Sequence, residues 1–452
     1  MSSVYPTPQS QVAGASRPLL AEVSPQRVIA WRAGGAVTIG RFLADVDALA
    51  ARLPAARTAV NLCDDRYAFL VAFAALLARG QTNLLPPSRA AHAIDETLAA
   101  HPDCYTLGDA DLDPAPPGYL RFTTNAKADF AGPAMLIADA ALAAIGYTSG
   151  STGVPRANPK YWNKLAISTG HNDVLLRTLA GGNYHVVATV PPQHMYGLEF
   201  SVLLPLFGHA AVCAAKPFFA ADIAASLQQL PEPRILVTTP VHLRALLDSG
   251  HLLPRISGVV SATAPLSRDL ARDAEALYGA PVQEVFGSTE TCVIAHRRTA
   301  HEDAWTPYPE VTLHPQPDGT RIEAPQLAQP VVLADIVELS GDGRFRLRGR
   351  NTDLLEIAGK RASLGDLTHK LLAVPGVRDG VVFQMDGTDA MGVRRIAALV
   401  VAPGLDAGAI LDALRCGIDP VFLPRPLKLV DALPRSDTGK LPRAALLAAL
   451  AG

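Results

Sequence analysis

The sequence predicts an α/β protein that contains parallel β-sheet. The chain has 452 residues, of which 49% are hydrophobic, so it can bury more than one core. Segments 42–62 and 267–286 each read as a helix that is followed by a short apolar strand. A further helix lies between apolar strands at 59–62 and 82–85, and this β-α-β alternation is typical of parallel sheet.

The first two helices are predicted from apolar periodicity and from an apolar run. Side chains spaced by three or four residues share one helix face. In the first helix they are Phe42, Val46, Leu49 and Leu53. Thr38 is the expected N-cap of that helix. The run 67–78 is twelve residues long, whereas a membrane-spanning helix needs about 18 to 20, so the run predicts a buried helix.

A third helix is expected to begin at Ser267 and to end at Gly279. Its apolar face would be formed by Leu270, Ala274 and Leu277. A strand at 282–286 follows.

Three further strands are predicted beyond this helix. A hairpin is expected from strands at 331–339 and from Phe345 onward, joined by a Ser-Gly-Asp-Gly turn. A shorter strand is expected at 396–401, and a domain boundary near 350–353.

Charge and cysteine usage limit the possible partners. Forty basic and 42 acidic residues leave a net charge of -2, which favours neither nucleic acid nor an anionic membrane as a partner. Five scattered cysteines without a CxxC pair fit a reducing compartment. The N-terminus lacks a basic region followed by an apolar one, so we expect a cytoplasmic protein without integral membrane contact.

A loop at 145–156 is rich in glycine and hydroxyl side chains and ends in Arg156. Glycines let backbone N–H groups turn toward an anion, and hydroxyls add donors, so the loop suits a polyphosphate. The candidate residues are Thr148, Ser149, Gly150, Ser151, Thr152 and Gly153. The spacing fits neither a Walker A loop nor a serine-hydrolase elbow, and an ordinary surface turn is the alternative.

Together with four later segments, this loop resembles the signature of the adenylate-forming superfamily, which includes acyl-CoA and aryl-CoA synthetases. The segments are 260–266, 286–290, 335–350 and 433–443. The resemblance implies a large α/β domain at 1–350, made of parallel-sheet subdomains and a small barrel. It also implies a small, mobile α+β lid domain at 353–452.

The resemblance also implies a nucleotide site. Residues Ala262, Thr263 and Ala264 would pass along the adenine. Phe286, which replaces a usual tyrosine, would stack on the adenine beside Gly287. Thr289 would meet the phosphate and Glu290 would hold Mg²⁺, for which a carboxylate is a suitable ligand.

The remaining roles implied by the resemblance lie toward the C-terminus. Asp335 would bind the ribose hydroxyls, and Arg350 would reach the ribose or the phosphate. Lys440, one of only eight lysines against 32 arginines, is the candidate catalytic lysine. Gly359 would line the pantetheine tunnel.

Two positions stay open. The hinge is Thr352 or Asp353, since the family usually has a different residue at the first of these positions. His194 in the Pro-Gln-His-Met-Tyr segment is either a gate beside the acyl pocket or a packed histidine.

The implied function is ATP-dependent activation of an aryl or fatty acid as acyl-AMP, followed by transfer to a thiol. The acceptor would be coenzyme A or the phosphopantetheine of an acyl carrier protein. The chain is also similar to stand-alone bacterial synthetases that load such acids for polyene pigments.

Two alternatives are an amino-acid adenylation domain, for which Glu199 is the nearby carboxylate, and a non-catalytic nucleotide-binding protein. Cys292, His296 and His301 are too few and too loosely spaced for zinc, so Mg²⁺ is the one metal expected.

Overall fold

The computed structural model describes residues 14–22, 24–86, 88–148, 156–350, 354–357, 360–388, 394–415, 417–435 and 441–451. The chain folds into two compact units. The first unit comprises residues 1–237, 252–258 and 287–293, and the second comprises 238–251, 259–286 and 294–452. None of the helices among the described residues combines the length and apolar composition that crossing a bilayer requires.

The first unit contains thirteen strands among its described residues. They are β1 (Ser16–Pro18), β2 (Val28–Arg32), β3 (Gly35–Thr38), β4 (Thr58–Asn61), β5 (Thr82–Leu85), β6 (Cys104–Gly108), β7 (Tyr119–Arg121), β8 (Leu136–Ala138), β9 (Leu142–Thr148), β10 (Arg156–Tyr161), β11 (Tyr184–Ala188), β12 (Ala210–Cys213) and β13 (Arg234–Thr238). The helices are α1 (Ile39–Ala50), α2 (Arg66–Ala78), α3 (Ala91–Ala100), α4 (Trp162–Ala180), α5 (Met195–Leu198), α6 (Leu204–Phe207) and α7 (Ala220–Gln228). A π-helical turn at Glu199–Leu203 joins α5 to α6.

Two sheets of the first unit are largely parallel, as the sequence predicts. One has the order β10-β9-β5-β4-β6-β7, in which only the β9–β10 pair is antiparallel. In the other, β13, β11, β12 and β2 are successive parallel neighbours and β3 pairs antiparallel with β2. The carboxyl end of β9 is therefore at an edge where several parallel strands end, which is where ligands bind in open α/β sheets.

The second unit continues the α/β pattern and then changes to smaller sheets. Its first elements are α8 (Pro240–Asp248), β14 (Gly258–Ser261), α9 (Arg268–Tyr278), β15 (Val282–Ser288), β16 (Cys292–Arg297) and β17 (Thr306–Pro307). They are followed by β18 (Thr312–Gln316), β19 (Gly319–Glu323), β20 (Val331–Leu333), β21 (Asp335–Leu339) and β22 (Phe345–Arg350). Strands β14 and β15 are parallel, as expected for a strand-helix-strand unit.

The part that the resemblance implies to be a small barrel consists of two small sheets. One has the order β18-β19-β20, and the other pairs β21 with β22. The single strand predicted at 331–339 is therefore two strands, interrupted at Ala334, because its first half pairs with β19 and its second half with β22. The hairpin turn lies where the sequence predicts it, with the Gly343 N–H donating to Ser340 O.

The C-terminal part of the second unit is an α+β arrangement. It comprises β23 (Leu354–Ile357), β24 (Lys360–Ser363), α10 (Leu364–Leu372), β25 (Asp379–Thr388), β26 (Arg394–Val401), α11 (Ala407–Arg415), β27 (Leu427–Leu429) and α12 (Arg443–Ala451). Strands β25, β26 and β27 form one sheet, and α10 and α11 pack on it through a continuous apolar core that includes Leu371, Val400 and Ile410. The domain boundary near residue 350 stays a prediction.

The predicted helix ends are confirmed. The Thr38 side chain accepts a hydrogen bond from Arg41 N at the start of α1, and the Ser267 side chain accepts one from Leu270 N at the start of α9. Gly279 ends α9 with φ of 63°. Two positions predicted to lie on an apolar helix face do not do so. Leu53 lies beyond the end of α1, and Leu277 is 44% exposed.

Candidate active site

The predicted phosphate loop begins where β9 ends. Thr148 is the last residue of β9, and its hydroxyl lies 3.4 Å from Glu290 Oε1. The Asn158 amide on β10 is directed at the same place and donates to Gly146 O at 3.2 Å and to Thr148 Oγ1 at 3.4 Å. The first unit thus brings together two predicted site residues that are 142 positions apart in the chain. The predicted residues Ser149, Gly150, Ser151, Thr152 and Gly153 lie outside the described residues.

A tight turn between β15 and β16 carries Thr289 and Glu290. A methyl group on Gly287 would lie 2.3 Å from Cys292 O, so the chain folds back on itself too closely for any other residue. A methyl group on Gly146 would lie 2.8 Å from Thr289 Cγ2, which shows how closely Thr289 packs on β9. Both contacts fix the position of the turn relative to the phosphate-loop strand.

Glu290 and Thr148 supply hard oxygen donors that fit Mg²⁺. Both side chains are partly exposed, so they are accessible to a ligand. Among the described residues no group of three or more histidine, cysteine or acidic side chains could hold a metal ion. The Glu290 carboxylate and the Thr148 hydroxyl suit Mg²⁺, because this ion is commonly bound by one or two carboxylates, phosphate oxygens and water rather than by an all-protein cage.

Lys160 is a site residue that sequence reasoning missed. It lies on β10 two positions after Asn158, and both side chains are buried. The Lys160 ammonium donates to the main-chain oxygen of Glu290 at 2.9 Å. The available signal was a pair of polar residues at i and i+2 beside the phosphate loop, one of them a lysine in a lysine-poor chain.

His194 is the N-cap residue of α5, in a segment held by close backbone contacts. A methyl group on Gly197 would lie 1.9 Å from Pro191 O. The fully buried Arg66 donates to Ala188 O at 2.8 Å and to Val190 O at 2.9 Å, just before this segment. His194 itself is half-buried, so its role as a gate stays a prediction.

Glu199 is fully buried and engaged inside the protein. Its Oε2 accepts hydrogen bonds from Ser168 Oγ at 2.7 Å, Asn172 Nδ2 at 3.2 Å and Val293 N at 3.2 Å. Burial raises the pKa of the Glu199 carboxyl, and the hydrogen bonds and the Lys160 charge oppose that rise. All three donors reach one oxygen of a carboxylate that is 1% exposed, so burial keeps it from a substrate ammonium, which removes the main support for the amino-acid alternative.

In the second unit, the predicted adenine segment follows β14. Thr263 has φ of 80°, a left-handed conformation that is unusual for a β-branched residue. The segment is fastened to β15, because the buried Glu284 carboxylate accepts from Leu266 N at 3.1 Å. Arg297 pairs with the same carboxylate at 2.7 Å. Thr263 is exposed and its neighbours Ala262 and Ala264 are half-exposed, so all three are accessible to a ligand.

Phe286, on β15, belongs to an aromatic cluster. Its ring centroid lies 5.4 Å from that of Trp305 and 6.0 Å from that of Phe345, and both neighbours are buried. The Arg297 guanidinium lies over the Trp305 ring at 4.3 Å. Phe286 is itself half-buried, so packing holds the ring in place while part of its surface stays accessible.

Asp335 and Arg350 are direct cross-strand neighbours in the β21–β22 ladder. The backbone of Asp335 is held by the Thr320 hydroxyl, which donates to its carbonyl oxygen at 2.7 Å. Gly349 precedes Arg350 with φ of 112°, and a methyl group there would collide with Ser363 Oγ. The two residues predicted to bind the ribose are thus paired on adjacent strands. The predicted residues Thr352, Asp353, Gly359 and Lys440 lie outside the described residues.

Each unit therefore gathers part of the predicted site. The first holds Thr148, His194, Gly287, Thr289 and Glu290, and the second holds the adenine segment, Phe286, Asp335 and Arg350. The contacts of two of the residues considered for zinc do not support a zinc site, because His301 pairs with Glu275 and His296 packs on Tyr308.

Comparison with known proteins finds relatives that are named as ligases. The 4-coumarate–CoA ligase of Rhodobacter capsulatus is 31% identical over 296 residues, which cover 65% of this chain and 73% of that protein. The L-proline–L-prolyl-carrier protein ligase of Pseudomonas fluorescens is 27% identical over 382 residues, with coverage of 74% and 73%.

The fold matches that of o-succinylbenzoate CoA synthetase from Bacillus subtilis, solved with its acyl-adenylate intermediate. The TM-score is 0.78 at 17% identity, over 96% of this chain and 98% of that chain. A profile of the AMP-binding enzyme family matches residues 21–323, about two thirds of the sequence. The chain belongs to the family of AMP-binding enzymes.

Proposed function

We propose that the chain is an AMP-forming acid–thiol ligase that activates an aryl or fatty acid. The observation that carries the proposal is the Thr148–Glu290 contact at the end of β9, in a member of the AMP-binding enzyme family. It provides a hydroxyl donor for a phosphate and a carboxylate for a cation at the point where the phosphate loop begins.

The first step forms an acyl-adenylate. A carboxylate oxygen of the acid attacks the α-phosphorus of ATP, and the bond from that phosphorus to the bridging oxygen of the β-phosphate breaks. Pyrophosphate leaves with the electron pair. Mg²⁺, when bound, offsets the triphosphate charge. Glu290 would hold the cation, Thr148 would donate to a phosphate oxygen, and Lys440 would offset the charge that builds at the reacting phosphorus.

The second step forms a thioester. The thiol sulfur attacks the acyl carbon, AMP leaves with the electron pair, and the thiol proton passes to solvent or to AMP. Coenzyme A and a carrier-protein phosphopantetheine both supply such a thiol. We assign the loop around Gly359 to the acceptor and residues 353–452 to a lid that turns between the two steps, withdrawing Lys440.

The acid is proposed to lack an amino group beside its carboxylate. Glu199 is the candidate partner for such a group, but it is 1% exposed, and its Oε2 already accepts from Ser168, Asn172 and the Val293 N–H. One relative is named for 4-coumarate and CoA, and another for L-proline and a carrier protein. An aromatic acid is therefore our first choice, in a cytoplasmic enzyme that meets CoA or an acyl carrier protein.

ATP–pyrophosphate exchange tests the proposal, because it needs no thiol. The purified protein would be assayed with Mg²⁺ and a panel of benzoates, cinnamates, fatty acids and amino acids. We expect exchange with an aromatic or fatty acid and none with amino acids. Glu290→Gln should lower the exchange about 10- to 100-fold, in the range found for perturbed metal sites.

Two results would contradict the proposal. Exchange with amino acids alone would support the amino-acid alternative. A folded protein that binds ATP but exchanges with no acid in the panel would support a non-catalytic homologue. Once an acid is identified, product analysis with CoA and with a phosphopantetheinylated carrier protein distinguishes the two acceptors.

A further inference from the structure

Two buried charges of the first unit lie beneath the Thr289–Glu290 turn. Lys160 is 6% exposed and Glu199 is 1% exposed. We propose that Lys160 and Glu199 form a charge-compensated clamp that holds this turn from both sides, and that Lys160 is a positioning residue for the Mg²⁺-binding Glu290. The inference deepens the proposed function and rests on it.

The Lys160 ammonium fixes the backbone of Glu290 and leaves its carboxylate accessible. The contact is with the main-chain oxygen, at 2.9 Å. The Glu290 side chain extends instead toward the Thr148 hydroxyl. An ammonium bound to a carbonyl holds the peptide in one orientation without neutralising the carboxylate that a cation needs.

Glu199 holds the second residue of β16, just after the same turn. Its carboxylate accepts from Val293 N at 3.2 Å, three residues after Glu290. Ser168 and Asn172 on α4 occupy the same carboxylate oxygen, so Glu199 is itself immobilised. The backbone is therefore held in the turn at Glu290 O by the Lys160 ammonium, and just after the turn at Val293 N by the Glu199 carboxyl group.

The first residue of β16, directly after the turn, has a backbone conformation that needs such support. Cys292 is buried and has φ of 60°, a conformation that L-residues other than asparagine and aspartate seldom adopt. Strained backbone of this kind persists where the surrounding structure over-determines it, and it concentrates at functional sites. The Lys160 and Glu199 contacts lie two residues before and one residue after Cys292.

The two charges also compensate each other. A buried charge without a partner is strongly destabilising, whereas removal of both members of a buried pair is often well tolerated. Lys160 and Glu199 are both buried, and their hydrogen bonds end on Glu290 O and Val293 N, three residues apart, so the Lys160 charge opposes the rise in the pKa of the Glu199 carboxyl. Loss of either charge alone should thus leave the other uncompensated.

The test compares Lys160→Met, Glu199→Gln and the double variant. Methionine keeps much of the lysine volume and removes its charge. We expect Lys160→Met to raise the Mg²⁺ concentration for half-maximal ATP–pyrophosphate exchange about 10- to 100-fold, as for other groups that orient a metal ligand. The KM for the acid should change less. Lys127→Met, at an exposed lysine of the same unit, is the matched control and should behave as the wild type.

Thermal unfolding of the same variants tests compensation without any assay of activity. The double variant should unfold at a higher temperature than Lys160→Met. An unchanged Mg²⁺ requirement in folded Lys160→Met would overturn the positioning role. A double variant no more stable than Lys160→Met would overturn the compensation. Absence of exchange in the wild type would instead contradict the proposed function, while the unfolding comparison would still test the clamp.

Discussion

Gly287 and Glu290 show how single residues define the candidate site. The close approach of Gly287 to Cys292 O sets the shape of the turn, and Glu290 is the carboxylate of the turn that we propose to bind the cation. Because the neighbouring atom belongs to the backbone, it cannot rotate away from an added methyl group.

Gly287→Ala is accordingly expected to lower the free energy of unfolding by about 1–3 kcal/mol, the usual cost of overpacking. Exchange activity should fall with it. The matched control is Gly170→Ala in the middle of α4, where no atom lies within 4 Å of the added methyl group. In that variant the free energy of unfolding should rise by about 0.5–1 kcal/mol, because alanine stabilises a helix interior more than glycine does. Urea unfolding measures both, and equal stability of the two variants would contradict the close approach.

The site residues differ in how far sequence could predict them. The Gly-Ser-Thr loop, the Thr-Glu pair and the Asp and Arg of the β21–β22 hairpin carry local signatures. Lys160 does not, because its role depends on a contact with Glu290 O, 130 positions away. Glu199 is recognisable in the sequence as a carboxylate, but only the structure shows that it is buried and that α4 and β16 donate to its Oε2.

At the scale of elements, one side chain fastens α9 to the strands beside it. Glu275 accepts from Val282 N at the start of β15 at 2.9 Å. It also binds Arg298 through both carboxylate oxygens, and His301 at 3.2 Å. Burial raises the pKa of the Glu275 carboxyl, but the hydrogen bonds from Arg298, Val282 N and His301 outweigh it and lower the pKa below 4.5.

This lowered pKa predicts a pH dependence. A carboxyl with a depressed folded-state pKa stabilises the fold above its unfolded pKa, and the contribution is lost as the pH falls through the folded value. Glu275→Gln should therefore lower the free energy of unfolding by about 1.5–3 kcal/mol at pH 7, and by progressively less below about pH 4. Urea unfolding at pH 7 and at pH 3.5 measures the difference. Glu338→Gln, in an exposed pair with Arg348, should cost less than about 1 kcal/mol.

Element ends were predictable where the signal is local. Thr38, Ser267 and Gly279 act through backbone groups a few residues away, so sequence alone identifies them. The break at Ala334 is different, because the apolar run is continuous and the strand ends only where its pairing partner changes from β19 to β22. Pairing partners are a tertiary property that no short window contains.

At the scale of the whole molecule, the predicted site residues are shared between two units. The predicted phosphate and cation ligands lie in the first unit, whereas the predicted adenine segment and the Asp335–Arg350 pair lie in the second. Parallel sheet was predictable from the β-α-β alternation, and the mobile lid rests on the family resemblance.

Lys440→Ala tests whether the proposed lid supplies a catalytic residue for adenylation. We expect it to reduce acyl-adenylate formation by at least about 100-fold, the size typical of a lost electrostatic stabiliser in the transition state. Thioester formation from preformed acyl-AMP should keep near wild-type rates, because the proposed turning of the lid withdraws Lys440 before that step. Single-turnover assays of each half-reaction measure this division. Equal loss in both would show that one closed arrangement serves the whole reaction.

The burial of the thiols has a practical consequence for labelling. Cys63, Cys213 and Cys292 are buried free thiols, and Cys104 is only half-buried. Burial raises the pKa of all four, to about 12 for Cys292, so little reactive thiolate is present at neutral pH. After Cys416→Ser, a cysteine introduced on an exposed helix face would react with a maleimide dye well before the native thiols. Fluorescence energy transfer between two such dyes could then follow the turning of the lid during catalysis, in an otherwise native enzyme.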